Sequence, residues 1–177
     1  MFVQLVLTII GLDRPGLVQL VSSRVADHGG NWLESRMCHL GGQFAGIARV
    51  EVPAEKSADF RQAVKQLEAQ GLRVSVDAGE GAVLVAGGVA AVIELVGQDR
   101  PGILRNVTSV LSAHGVNVEE LSSECVSAPM GGGTLFQARV RVSVPPAVKL
   151  ESVRADLEKI AADLMVDLTL RPEPHLG

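Results

Sequence analysis

The feature that most constrains this chain is an internal repeat. Residues 11–16 read G-L-D-R-P-G and residues 97–102 read G-Q-D-R-P-G, 86 positions later in a chain of 177. With that shift applied, Val21, Ser23, His28, Gly29, Asn31 and Glu34 fall on Val107, Ser109, His114, Gly115, Asn117 and Glu120. Most other pairs in the window are apolar against apolar, and no gap is needed. A repeat of this length is read first as a duplicated folding unit.

Each half carries the same order of signals. Residues 2–10 form an apolar run that reads as a buried strand. Residues 15–28 follow with a helical stripe of Leu17, Leu20, Val21 and Val25, with Pro15 in the first turn and Gly29 as the stop. Asn31 to Leu40 and Gln43 to Val52 flank Gly41-Gly42, a hairpin pattern, and Pro53 closes the second strand. Phe60, Ala63, Val64 and Leu67 mark a second helix that ends at Gly71, and residues 72–78 alternate as a last strand. The second half predicts strands at 89–96, 117–127, 134–144 and 165–171. Its helices are expected at 101–114 and around Leu150, Val153, Leu157, Ile160 and Leu164.

The order β-α-β-β-α-β, taken twice, is the ferredoxin-like arrangement. The expected class is therefore α+β, with two four-stranded antiparallel sheets and helices on one face of each. The expected boundaries are 1–80 for the first domain, 81–88 for a glycine-rich linker, 89–171 for the second domain and 172–177 for a tail. Domains of about 80 residues are marginal alone, so the other face of each sheet is expected to find a cover.

Composition narrows the function classes. A net charge of −4 and a 3% aromatic content argue against direct nucleic-acid binding, which draws on basic surface and stacking rings. The apolar opening M-F-V-Q-L-V-L-T-I-I has no basic flank or cleavage site and is too short to span a bilayer, so no membrane partner is expected. Cys38 and Cys125 have no CxxC spacing, which suits a reducing cytoplasm. Cys38 and His39 are neighbours on a strand and point to opposite faces, so they make no catalytic pair. His28 and His114 precede helix-ending glycines and suit a cap role rather than a metal role. Gly79-Glu80-Gly81 and Gly131-Gly132-Gly133 lack phosphate-loop spacing; the latter reads as the tip of a hairpin loop at 128–133, a candidate partner-contact surface. Ser22-Ser23 and Ser122-Ser123 lack a nucleophile context. No cofactor, metal or enzymatic activity is expected.

The hexapeptide falls where a strand meets a helix. The N–H groups of a first helical turn favour an anion, Asp13 and Asp99 suit an ammonium, and Asn31 and Asn117 add an amide. Together these groups suit an α-amino acid. The structural alternative is equally concrete: Asp is a favoured helix cap, and Asn just past a helix end tolerates unusual backbone angles.

A half that reads strand, D-R-P-G, helix, H-G-x-N, strand resembles the ACT domain, a regulatory module that commonly binds small amino acids at interfaces between domains. The resemblance covers nearly the whole chain. It implies one site with Gly11, Asp13, Pro15, Gly16 and Asn31 and another with Gly97, Asp99, Pro101, Gly102 and Asn117. Two such domains and little else, with N-W-L-E-S-R-M-C-H-L-G-G-Q-F in the first, look like the glycine cleavage system transcriptional repressor family. That likeness implies a homodimer that senses a glycine- or serine-like amino acid and acts on a protein partner such as a transcription activator. The alternatives are a regulatory subunit of a separately encoded amino-acid enzyme and a structural or assembly module. One departure is notable: many amino-acid-binding ACT domains have His and Asn where this chain has Gly11 and Asp13, and Gly97 and Asp99. Trp32 in the first copy against Val118 in the second sets the two pockets apart.

Overall fold

The computed structural model describes residues 1–79, 88–129 and 132–173. The expected linker lies outside the described residues except for Gly88, as do residues 130–131 of the glycine loop and 174–177 of the tail. Two compact units divide the chain, Met1–Leu84 and Val85–Gly177.

The first unit runs β1 (Phe2–Leu12), α1 (Leu17–Asp27), β2 (Asn31–Leu40), β3 (Gln43–Pro53), α2 (Ser57–Lys65) and β4 (Leu72–Ala78), with short 3₁₀ turns at Ala54–Lys56 and Gln66–Gln70. The second runs β5 (Val89–Gln98), α3 (Ile103–Ala113), β6 (Asn117–Ser127), β7 (Thr134–Val144), α4 (Leu150–Leu164) and β8 (Val166–Pro172). The sheets have the order β2-β3-β1-β4 and β6-β7-β5-β8, with every adjacent pair antiparallel. Both units are therefore ferredoxin-like, and the chain is α+β.

Alternation explains which face of each sheet is covered. Leu5, Leu7 and Ile9 of β1 turn to one side and are buried with Leu17, Val21 and Val25 of α1 and Phe60 and Val64 of α2. In the second unit Ile93 and Leu95 meet Ile103, Val107 and Leu111 of α3 and Val153 and Leu157 of α4. The three buried positions of α1 and of α3 are 86 apart, so the repeat is a repeat of core positions. Truncating one of these side chains, such as Leu7, costs roughly 2–5 kcal/mol.

The uncovered faces differ. In the first unit Ile10, Leu12 and Ile47 are exposed there. The second is laced by ion pairs, Arg139 with Glu94 at 2.7 Å, Arg141 with Glu173 at 3.0 Å and Arg171 with Glu94.

Punctuation residues set the boundaries. Gly41 and Gly42 have φ of 58° and 76°, the left-handed pair that a two-residue hairpin requires. Before β8, Met165 takes φ 53°, the same left-handed role that Gly71 plays before β4 with φ 80°. The helix starts differ from expectation. Pro15 and Pro101 are not in the first helical turn; they lie in the turn before it. Gly16 and Gly102 follow with φ of 92° and 93°, and a left-handed residue cannot sit inside a right-handed helix.

Candidate functional site

The repeated loop is held at its base by the neighbouring hairpin. The Asp13 amide donates to the Gly42 carbonyl at 3.0 Å, and the Asp99 amide to the Thr134 carbonyl at 2.9 Å. These bonds carry the β1–β3 and β5–β7 ladders one step past the strand ends. Arg14 then reaches across to donate to the Gln70 carbonyl at 2.9 Å. The chain turns through Pro15 and Gly16 into α1, and the Leu20 amide donates back to the Gly16 carbonyl at 3.0 Å. The Asn106 amide does the same to Gly102.

Neither helix start is capped by a side chain, and neither has an acidic residue in its first turn. Capping therefore does not account for Asp13 or Asp99. The first-turn amides keep the partial positive charge that an uncapped start presents, with the loop carboxylate nearby. Asp13 points instead toward His39 at the far end of β2, with Oδ2 3.7 Å from Nε2. Cys125 stands 86 positions after His39 and neighbours Asp99 in the same way. Its thiol is pushed above the usual range by local loss of hydration and by the Asp99 carboxylate beside it. His39 and Cys125 were not among the expected site residues. Their signal in the sequence was positional only, because the shift aligns an imidazole with a thiol.

Gly11 and Gly97 serve packing. A Cβ on Gly11 would lie 2.5 Å from the Gly71 carbonyl oxygen, and one on Gly97 would lie 2.3 Å from Val166 Cγ1. Both are in register with the first residue of the last strand, Leu72 and Val166.

Asn31 and Asn117 are not brought to their own loops. Asn31 pairs with Glu51, which pairs with Gln4, whereas Leu40 pairs with Gln43, which pairs with Leu12. β1 and β2 are both antiparallel to β3 and so parallel to each other. Asn31 therefore opens β2 at the level where β1 begins, eight residues back from Leu12, about 26 Å along the sheet. Asn117, in register with Ser143, stands likewise at the far end from Asp99. Neither Asn takes a left-handed backbone, since Met165 is the one non-glycine residue with positive φ among those described. Asn31 reaches Glu51 at 3.5 Å.

The two edges of each sheet are treated differently. Arg61 of α2 donates to the Val76 carbonyl of β4 at 2.6 Å, and Arg154 of α4 to the Leu170 carbonyl of β8 at 3.1 Å. An arginine thus occupies the outer edge of the last strand in both units. Along β2 the arginine bond to a backbone carbonyl is local, from Arg36 to the adjacent Ser35 at 3.4 Å, and among the described residues no helix arginine reaches a carbonyl of β2 or β6. An edge left bare is a template for strand addition. Just inside each bare edge a bulge recurs, between Trp32 and Glu34 and between Val118 and Glu120. It is followed by the matching ion pairs Glu34–Arg49 at 3.0 Å and Glu120–Arg141 at 3.4 Å.

His28 and His114 are both the C-cap residues of their helices, but their side chains diverge. His28 Nδ1 lies 2.7 Å from the Arg24 carbonyl, and His114 Nε2 lies 2.9 Å from Asp156. Both cysteines are free and exposed. Among the described residues no group of three or more His, Cys, Asp or Glu side chains is arranged to hold a metal ion. No helix among them is long and apolar enough to cross a membrane.

Two ferredoxin-like units, each with a glycine-turned, uncapped loop between its first strand and helix, define a tandem α+β module protein. ACT domain family models match residues 3–77 and 91–162, and the chain belongs to that family. A UPF0237 protein of Methanopyrus kandleri is 32% identical over 84 residues, 47% of this chain and 87% of that one. Among solved structures, an unknown protein from Galdieria sulphuraria is similar with a TM-score of 0.88 at 28% identity, over 98% of this chain and all of that one. A candidate glycine cleavage system transcriptional repressor shares the fold with a TM-score of 0.74 at 18% identity, over 99% of both chains.

Proposed function

We propose that the chain is a non-catalytic regulatory protein that binds a small amino acid of glycine or serine size and passes that state to a protein partner. The observation that carries this reading is the pair of uncapped helix starts in two ACT domains, each preceded by an Asp whose backbone amide is bonded to the neighbouring hairpin. First-turn amides suit the ligand carboxylate, and Asp13 or Asp99 suits its ammonium. The fold shared with a candidate glycine cleavage repressor agrees with a regulatory role and makes a transcription activator a reasonable partner class.

Asn31 joins such a site through a second ACT module. When another module's edge strand lies antiparallel along β2, its opening Asn comes to the end where β2 finishes, beside Asp13. The bare β2 and β6 edges and the arginine-guarded β4 and β8 edges favour this choice of edge. Binding then strengthens the pairing of modules and alters the surface shown to the partner.

Thermal melting with a panel of amino acids tests the reading. A ligand that binds the folded state at one hundred times its Kd adds about 2.7 kcal/mol of stability. Glycine or serine is expected to raise the Tm while a matched salt control does not. Equal Tm values across the panel would remove the sensor reading.

A further inference from the structure

The outer edges of the two sheets carry opposite charge at equivalent positions. Phe60 and Val64 of α2 are buried against the sheet as Val153 and Leu157 of α4 are. The residues one step on, Arg61 and Lys65, therefore correspond to Arg154 and Glu158. Leu72 and Val166 are register partners of Gly11 and Gly97, so the next residues, Arg73 and Asp167, correspond as well. The arginines keep one role, each binding an edge carbonyl. The other two positions reverse sign, from Lys65 and Arg73 to Glu158 and Asp167.

All four reversed residues are exposed, and none has an ion-pair partner among the described residues. Lys65 and Arg73 line an open cleft of about 410 Å³ between α2 and β4, with Glu68 as its one acid. Near Glu158 on the helix, Lys159 is taken by Asp156 at 2.9 Å, and Arg154, one turn back, is turned to the Leu170 carbonyl, which leaves one arginine against Glu158 and Asp167. The first edge is thus left net basic and the second net acidic.

We propose that these edges are the two halves of a self-association surface: the Lys65/Arg73 edge of one copy receives the Glu158/Asp167 edge of a second copy. The contact is made by side chains, because Arg61 and Arg154 already hold backbone carbonyls on both edges. Each copy carries both edges, so two copies that make the contact twice, with their roles exchanged, form a two-fold dimer. Like edges meet with like charge, so the arrangement also sets which edge each one accepts.

Two variants test this directly by sedimentation velocity. In Lys65→Glu/Arg73→Glu both edges are acidic, and in Glu158→Lys/Asp167→Lys both are basic. The wild type is expected to sediment as a dimer at low salt, with Kd rising about tenfold as salt screens the contact. Each variant alone is expected to be monomeric, and a 1:1 mixture to recover the dimer mass, which also shows that both variants are folded. A monomeric wild type, a variant that keeps the dimer mass alone, or a mixture that stays monomeric would each overturn the proposal.

Discussion

His39 Nε2 stands 3.7 Å from Asp13 Oδ2, linking the end of β2 to the loop that opens α1. In the second module the same place holds Cys125 beside Asp99. The two candidate sites therefore share a carboxylate and differ in the group that faces it, a base in one and a weak acid in the other.

That difference is measurable at Cys125. Local loss of hydration and the Asp99 carboxylate both disfavour the thiolate, which is the reactive form. Alkylation of Cys125 at pH 8, followed by mass spectrometry, is expected to be faster in Asp99→Asn than in the wild type. Loss of hydration persists in the variant, so the gain is partial. An unchanged rate would separate Asp99 from the thiol.

Asp13→Ala and Asp99→Ala distinguish binding from capping. Loss of a helix cap costs about 1 kcal/mol, but neither Asp caps its helix. Denaturant unfolding is therefore expected to shift by no more than about 0.5 kcal/mol, while amino-acid affinity falls at the altered site. A drop in stability with affinity intact would reverse this assignment.

Gly97→Ala tests the packing role. A new methyl 2.3 Å from Val166 Cγ1 forces strand or side chain to move, at about 1–3 kcal/mol. Adding Val166→Ala is expected to recover part of that loss in equilibrium unfolding. If Gly97→Ala left stability unchanged and removed binding, the glycine would belong to the ligand site instead.

Acid stability has a defined sign. Asp156 is held below its usual range by hydrogen bonds from Lys159 and His114. Its folded-state value is depressed, so its contribution is present above the unfolded value near 3.8 and is lost as pH falls through the folded one. Unfolding midpoints measured from pH 5 down to about pH 2 are expected to fall less steeply in Asp156→Asn than in the wild type.

Much of the fold was legible because glycines punctuate it. Gly41-Gly42 and Gly71 bound β2, β3 and β4 closely, and the 86-residue shift carried the pattern into the second half. The helix starts were displaced by two residues because Pro15 favours a first turn, while the left-handed angle at Gly16 is not written in residue type. The place of Asn31 was hidden for a topological reason. It follows the loop closely in sequence, but the chain returns along α1 to begin β2 beside the start of β1, with β3 between them. Asp13–His39 was hidden because the contact depends on where β2 ends, and the aligned residue is a cysteine.

The central claim is that the repeated loops bind an amino acid, and titration calorimetry on the full chain tests it most directly. Glycine or serine is expected to give a saturable heat with Kd at or below about 1 mM, absent when Asp13→Ala and Asp99→Ala are combined in a chain that keeps its melting temperature. No saturable heat from any amino acid at concentrations up to about ten times that value would contradict the account.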